Sequence, residues 1–384
     1  MNTYHRLPVT FARGEGAWLY DGSGKPYLDF TSGIAVNCLG HNHPALVGAI
    51  AAQAEKLIQT GNYFQSKTAL TFAEKLVTVC TGAGMKKVFL CNSGAEANEG
   101  ACKIARKYSL DKYGRGRHII VTLKGSFHGR TITTLSATGQ EKFHQHFGPF
   151  TEGFVFIEAN ITALEKALKE NAVAGLLLEA VQGESGIRPQ SEEFIKAAAK
   201  LCAEKDILLM FDEIQCGLGR TGTFLACEQY GVKADVVTLA KGLAGGIPAG
   251  AFLAGEKAAG VLQQGDHGST FGGNPLAAAA GIVVLDTVAN PAFLSEIKRK
   301  GERIAALVEA WKHPQIKEIR SRGLMLGIDL ESEAWPVMEA VLADNPGLLL
   351  LSAGPNTLRL LPPYIISDAE IEQGLGILKT ALER

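Results

Sequence analysis

The sequence predicts an α/β protein: a mostly parallel central sheet with helices on both faces, plus a smaller α+β domain. Three observations predict it. From about residue 86 to 289, short apolar runs with little polar alternation recur, as strands buried on both faces require. Stretches of helical period separate several of these runs. The length, 384 residues, leaves room for roughly two or three domains of ordinary size and a large core.

Residues 1–40 hold two strand-like pieces, 17–20 and 27–30, around the turn signal Asp21-Gly22-Ser23-Gly24. Residues 41–289 form the predicted large domain. Its strands are read at 88–90, 118–123, 175–178, 207–211, 235–239 and 251–254. One helix is read over 95–113, where Ala97, Ala101, Ile104, Ala105 and Tyr108 share a face, and another over 192–204. After Asn290-Pro291 the pattern changes. Residues 290–384 read as a long charged helix to about 311, a strand at 324–330, a helix near 337–342 and a terminal helix from Ser367. This small domain is expected to pack with the N-terminal segment.

Composition narrows the function. Lys and Arg total 38 against 39 Asp and Glu, so the basic excess that nucleic-acid binding demands is missing. Residues 1–13 contain no apolar block of signal-peptide length. The uncharged stretch 268–285 is broken by Gly, Asn and Pro, and its apolar part is too short to span a bilayer. The 7 cysteines are odd in number, scattered and without Cys-x-x-Cys, which favours reduced thiols over a disulfide framework. A cytoplasmic protein with neither nucleic-acid nor membrane partners is expected. His41-Asn42-His43 and His144-Gln145-His146 each lack a third ligand at metal-binding spacing, so no metal site is expected.

Open α/β sheets place their sites at the carboxyl ends of strands. The predicted strand 207–211 ends in Asp212, with Gln215 following; an Asp there also serves simply to cap a turn. The strand 235–239 runs through Ala240 into Lys241 and the glycine-rich loop Gly242-Leu243-Ala244-Gly245-Gly246. A lysine closing a buried strand is either salt-bridged or, with its pKa lowered by desolvation, a nucleophile suited to a Schiff base. Between the strand 88–90 and the next helix stands Ser93-Gly94-Ala95. Ser93 is a natural N-cap, and the free N–H groups of the first turn suit a phosphate. No Gly-x-Gly-x-x-Gly follows a strand and there is no P-loop. Phosphate, carboxylate and lysine together are the handles of pyridoxal phosphate, whose chemistry needs a lysine imine and an acid at the ring nitrogen.

At these residues the chain resembles a known family. Phe211-Asp212-Glu213-Ile214-Gln215, then Gly219-Arg220-Thr221-Gly222, then Leu239-Ala240-Lys241-Gly242-Leu243 is similar to the class III aminotransferases of fold type I. The similarity runs from about residue 28 to 363. Leu28-Asp29-Phe30, Leu39-Gly40-His41, Phe127-His128-Gly129-Arg130-Thr131 and the stretch 179–186 are nearest to the branch acting on N2-acetylornithine with 2-oxoglutarate. Relatives using ornithine, succinylornithine or succinyl-diaminopimelate share much of the pattern.

The resemblance implies pyridoxal 5′-phosphate as cofactor and a role for each matching residue. Lys241 would be the Schiff-base lysine and proton shuttle. Asp212 would hold the ring nitrogen protonated, and Gln215 would bond the phenolic oxygen. Ser93, Gly94 and Ala95 would hold the phosphate, and Phe127 would cover the ring face, a role its flat apolar side chain suits. Arg130 and Arg359 would bind substrate carboxylates, as bidentate guanidinium groups do. Glu184 would face Arg359, pairing with it in one half-reaction and releasing it in the other. Thr270 would reach the neighbouring subunit's phosphate and Ser269 would touch substrate, which implies a homodimer with shared sites. Two rival readings use the same chain: a cofactor-free Schiff-base lyase, which leaves Asp212, Ser93 and Phe127 unexplained, and a non-catalytic homologue.

Overall fold

The computed structural model describes residues 1–384, opening on three short antiparallel strands: β1 (Phe11–Glu15), β2 (Trp18–Asp21) and β3 (Pro26–Asp29). Asp21 closes the β2–β3 turn, its Oδ1 accepting the N–H groups of Ser23 and Lys25 at 2.8 and 3.0 Å. The chain then builds the large sheet from β4 (Met85–Cys91), β5 (Ile119–Leu123), β6 (Phe154–Ile157) and β7 (Val173–Leu178). A small hairpin, β8 (Val181–Gln182) with β9 (Arg188–Pro189), precedes β10 (Leu208–Asp212), β11 (Val236–Leu239) and β12 (Gly250–Gly255).

The seven strands lie in the order β4-β12-β11-β10-β7-β5-β6. All run parallel except β12, which is antiparallel to both neighbours. The apolar runs are explained by burial on both faces. On β10, Leu208 and Met210 join one hydrophobic cluster while Leu209 and Phe211 join the other. The helix Gly94–Tyr113 covers the first face with Ala101, Ile104, Ala105 and Tyr108. Its Gly100 sits where a Cβ would stand 2.1 Å from the Phe252 ring, so no larger residue allows this approach. The sequence reading passes over β6. It is an edge strand with three half-buried residues, so it lacks the wholly buried run that marks its neighbours.

Beyond the helix Pro291–Glu309 come β13 (Ile316–Arg322) and β14 (Met325–Leu330), the helix Ala334–Ala343, then β15 (Gly347–Leu349), β16 (Leu351–Ser352) and β17 (Thr357–Leu360). The antiparallel sheet β13-β14-β17-β16 is joined by a second sheet in which β15 pairs in parallel with β3. Leu28 and Phe30 thereby share a core with Leu326, Leu358 and Leu375 of the C-terminal segment. Ser367 caps the last helix, Asp368–Leu382, in a capping box with Glu370. The apolar part of the uncharged stretch 268–285 lies in the largely buried helix Pro275–Val288, and no single helix is long and apolar enough to cross a membrane. All seven cysteines are buried and unpaired.

Candidate active site

Because β4, β5, β7, β10 and β11 are parallel, their carboxyl ends meet at one edge of the sheet. Antiparallel β12 begins at the same edge. A cleft of about 460 Å³ opens there, and Ser93, Gly94, Ala95, Phe127, Arg130, Asp212, Gln215 and Lys241 all line it. The strand ends bring together residues up to about 150 positions apart, as open α/β sheets do.

Asp212 ends β10 and is only 3% exposed. Its Oδ2 accepts from His128 Nδ1 at 2.8 Å and from Asn98 Nδ2 at 2.7 Å, while Oδ1 accepts the Ile214 N–H at 3.0 Å. Asn98 also donates to the His128 carbonyl and accepts from Thr238 Oγ1, both at 2.8 Å. The fixed carbonyl acceptor at His128 decides which end of the amide is NH₂. These three donors fix the orientation of the carboxylate at the edge of the cleft, where it can face a ring nitrogen. Neither His128 nor Asn98 was singled out from the sequence as a site residue. The link from His128 to Asp212 spans 84 positions and leaves no local signal.

Lys241 follows β11 with φ of +43°, a left-handed conformation that costs a non-glycine residue energy and clusters at functional sites. Burial is the main force lowering its pKa, from 10.5 to about 8; the Arg359 charge adds to this, while Glu184, Asp212 and Glu179 oppose it. The His128–Asp212 hydrogen bond and the Glu184–Arg359 ion pair leave this amine free. Ser93 caps the helix Gly94–Tyr113, its hydroxyl accepting the Glu96 N–H at 3.2 Å. The N–H groups of Gly94 and Ala95, in the first turn, have no intrahelical acceptor. A Cβ on Gly94 would lie 2.8 Å from Ile214 Cδ1, so the tight approach of this turn to the Asp212 loop depends on glycine.

Glu184 and Arg359 meet beside the cleft, Nη1 donating to Glu184 Oε1 at 2.5 Å. Gln215 lies between them and the cleft: its Nε2 donates to Glu184 at 3.0 Å and its Oε1 accepts from Arg359 Nη1 at 3.1 Å. Burial pushes the Glu184 carboxyl up, but the charges of Arg359 and Lys241 and two hydrogen bonds outweigh it, leaving the pKa at about 2. Glu179, also missed by the sequence reading, behaves oppositely. Burial and the nearby Asp212 charge push it well above the ordinary range, although it accepts the N–H groups of Phe127 at 2.9 Å and Gly183 at 3.3 Å. It thereby ties the backbone of Phe127 to that of the Glu184 loop.

Arg130 stands at the exposed mouth with its guanidinium 3.9 Å from the Phe143 ring centroid and 5.6 Å from that of Phe127. Ser269 and Thr270 do not line this cleft. Ser269 Oγ accepts from Asn92 Nδ2 at 3.1 Å, and Thr270 is exposed, its carbonyl accepting from Gln59 Nε2 at 2.5 Å. Tyr63, Phe64 and Phe271 are 100%, 74% and 61% exposed. His41, weighed as a metal ligand in the sequence, bonds Asp29 Oδ2 through Nε2 at 2.8 Å.

A lysine, a buried carboxylate, a phosphate-ready helix start and a paired arginine at one sheet edge define a transaminase-type site. The chain belongs to the class III aminotransferases, whose family profile matches residues 1–382. It is 48% identical over 387 residues to the acetylornithine aminotransferase of Caldanaerobacter subterraneus subsp. tengcongensis, covering 100% of this chain and 96% of that protein. It is 46% identical to that of Haemophilus ducreyi, covering 99% of this chain and 95% of the other. Among solved structures, the ornithine aminotransferase of Toxoplasma gondii superposes with a TM-score of 0.94 at 33% identity, covering 100% of this chain and 92% of that one. The N-acetylornithine aminotransferase of Stenotrophomonas maltophilia has a TM-score of 0.85 at 38% identity, covering 99% and 97%. The fold is therefore that of fold type I transferases, the protein is a transaminase, and its cofactor is pyridoxal 5′-phosphate. Family membership sets aside the cofactor-free lyase.

Proposed function

We propose that this protein moves the distal amino group of N2-acetyl-L-ornithine to 2-oxoglutarate, forming N-acetyl-L-glutamate 5-semialdehyde and L-glutamate in arginine biosynthesis, as a cytoplasmic homodimer. The observation that carries the reading is the buried Arg359, 3% exposed and closed on Glu184 at the rim of the lysine cleft. The identity to acetylornithine aminotransferases along the whole chain supports the donor. In this reading residues 41–289 carry the cofactor, and residues 290–384 with 1–40 form the smaller domain that brings Arg359.

The residues present fit the cofactor. The amides of Gly94 and Ala95 with Ser93 would hold its phosphate, Asp212 its ring nitrogen, Phe127 its ring face and Lys241 its aldehyde. Gln215 would turn its amide towards the phenolic oxygen. When bound, pyridoxal phosphate supplies an aldehyde for the amine and a protonated ring that draws electrons from the reacting carbon. Asp212, oriented by His128, Asn98 and the Ile214 N–H, would hold the proton on that ring nitrogen. Lys241 Nζ, with its pKa lowered to about 8, takes and returns the proton of the reacting substrate carbon.

The two substrates make unlike demands. Acetylornithine presents a distal amine at the end of a methylene chain, so its carboxylate goes to Arg130 at the mouth. Arg359 then has no anion from the substrate, and Glu184 compensates it. Glutamate presents its amine beside a carboxylate, which takes Arg359 when Glu184 swings away. Ser269 and Thr270, which do not line their own cleft, belong in this reading to the partner's site, and the exposed apolar residues Tyr63 and Phe64 lie at the contact between protomers.

A donor screen tests the substrate. The holoenzyme is given 2-oxoglutarate with acetylornithine, ornithine, succinylornithine or succinyl-diaminopimelate, and the glutamate formed is measured. Acetylornithine should give the highest kcat/KM; a higher value for any other donor overturns the assignment.

A further inference from the structure

Glu184 sits in the short loop Gly183-Glu184-Ser185-Gly186 between β8 and β9, and Gly186 adopts φ of +110°. The start of this loop is tied to the cleft: the Gly183 N–H donates to Glu179 Oε2, and its carbonyl accepts from Arg359 Nη1, both at 3.3 Å. The other end is tied elsewhere. Arg320 of β13 donates from Nε to the carbonyls of Gly186 and Ile187 at 2.9 and 3.1 Å, and from Nη2 to Gly186 at 2.7 Å. Its side chain is only 9% exposed. Asp329 of β14 grips the same guanidinium through both oxygens, at 2.8 and 2.5 Å, and Thr357 of β17 donates to Asp329 at 2.5 Å. Glu318 also pairs with it.

The seat of this clamp is specific. Gly327 of β14 is the cross-strand partner of Arg359, and a Cβ on Gly327 would stand 2.9 Å from the Gly186 carbonyl oxygen. The far end of the Glu184 loop therefore rests on the strand position beside Arg359, with Arg320 bolting it there.

We propose that Arg320 is a positioning residue for substrate choice. By pinning Gly186 to the β13-β14-β17 sheet that carries Arg359, it confines the movement of Glu184 to residues 183–185 and favours its return to Arg359. This rests on the Glu184–Arg359 reading above. Without the clamp the loop drifts, Arg359 spends more time uncompensated, and the balance moves towards dicarboxylate substrates.

Both half-reactions are measured by stopped-flow absorbance on holoenzyme, for the native protein, Glu184→Ala, Arg320→Gln and the double variant. The readout is the ratio of the glutamate to the acetylornithine specificity constant, within which folding and cofactor loading cancel. Arg320→Gln should raise this ratio roughly fivefold, and the double variant should match Glu184→Ala alone, because both act through one group. Glutarate, an unreactive dicarboxylate, should bind Arg320→Gln more tightly by a similar factor. Arg320→Lys and Thr357→Val give the same readout with milder loss and decide the matter if Arg320→Gln does not fold; each should raise the ratio. An unchanged ratio in the Arg320 variants, or an effect that adds in full to that of Glu184→Ala, overturns the clamp. A Glu184→Ala ratio equal to the native one overturns the switch itself, and the clamp with it.

Discussion

Replacing Lys241 by Met should stabilise the cofactor-free protein while abolishing transamination. Burial brings the Lys241 amine from its ordinary 10.5 to about 8. Below about pH 8 the amine is charged in both the folded and the unfolded chain, and the folded state carries the whole cost, about 3 kcal/mol at 1.36 kcal/mol per factor of ten. Between about 8 and 10.5 the unfolded chain keeps a proton that the folded one has released. The unfolded state then binds more protons, so stability rises with pH and the cost has gone above 10.5. Met has a similar length and no charge. It keeps the +43° backbone angle, so strain at that position does not enter the difference. At about pH 6.5 the variant should therefore be more stable by up to ~3 kcal/mol, or roughly 3–5 °C in Tm for a chain of this size. Thermal and urea denaturation of both cofactor-stripped proteins, at about pH 6.5 and pH 10, measures this. A variant no more stable than the native protein at pH 6.5, or a gain that fails to shrink at pH 10, refutes the reasoning.

Asp212→Asn should still bind pyridoxal phosphate, seen by its absorbance, but lose at least about a hundredfold in kcat because a neutral amide cannot keep the ring nitrogen protonated. Near-native turnover would place the acidic partner elsewhere. Asn98→Ala removes one hydrogen bond to a buried carboxylate and should lower kcat roughly tenfold with little change in KM, while displacing the pH titration of the bound cofactor's absorbance. An unmoved titration would mean that Asn98 serves only the fold. A Cβ at Gly183 would stand 2.2 Å from Gln215 Oε1, so Gly183→Ala should push Gln215 from Glu184 and Arg359 and raise KM for acetylornithine about tenfold. An unaltered KM would show that Gln215 is free to move aside.

Much of this protein is written in local pattern. The runs at 207–211 and 235–239 read as strands because residues buried on both faces leave no polar alternation, and Asp212 and Lys241 stand out as the charges at their ends. Ser93 and Ser367 mark helix starts because a cap bonds an N–H only three residues on. Such features depend on near neighbours, so single residues reveal them. The edge strand Phe154–Ile157 did not, because half-burial blurs the pattern. What tertiary structure alone decided is which distant groups meet. His128 and Asn98 converge on one oxygen of Asp212 from 84 and 114 positions away, Glu179 binds the amide of Phe127, and Arg320 reaches Gly186 across 134. β15 finds β3 at the other end of the chain and joins the first strands in a sheet separate from the one that carries Arg359. Glu184 was placed opposite Arg359 by resemblance, but the Gln215 amide bonded to both and the clamp behind them were not legible. Each of these contacts is a hydrogen bond or ion pair whose partner is selected by the packing of the whole core, and no periodicity or local propensity carries that information.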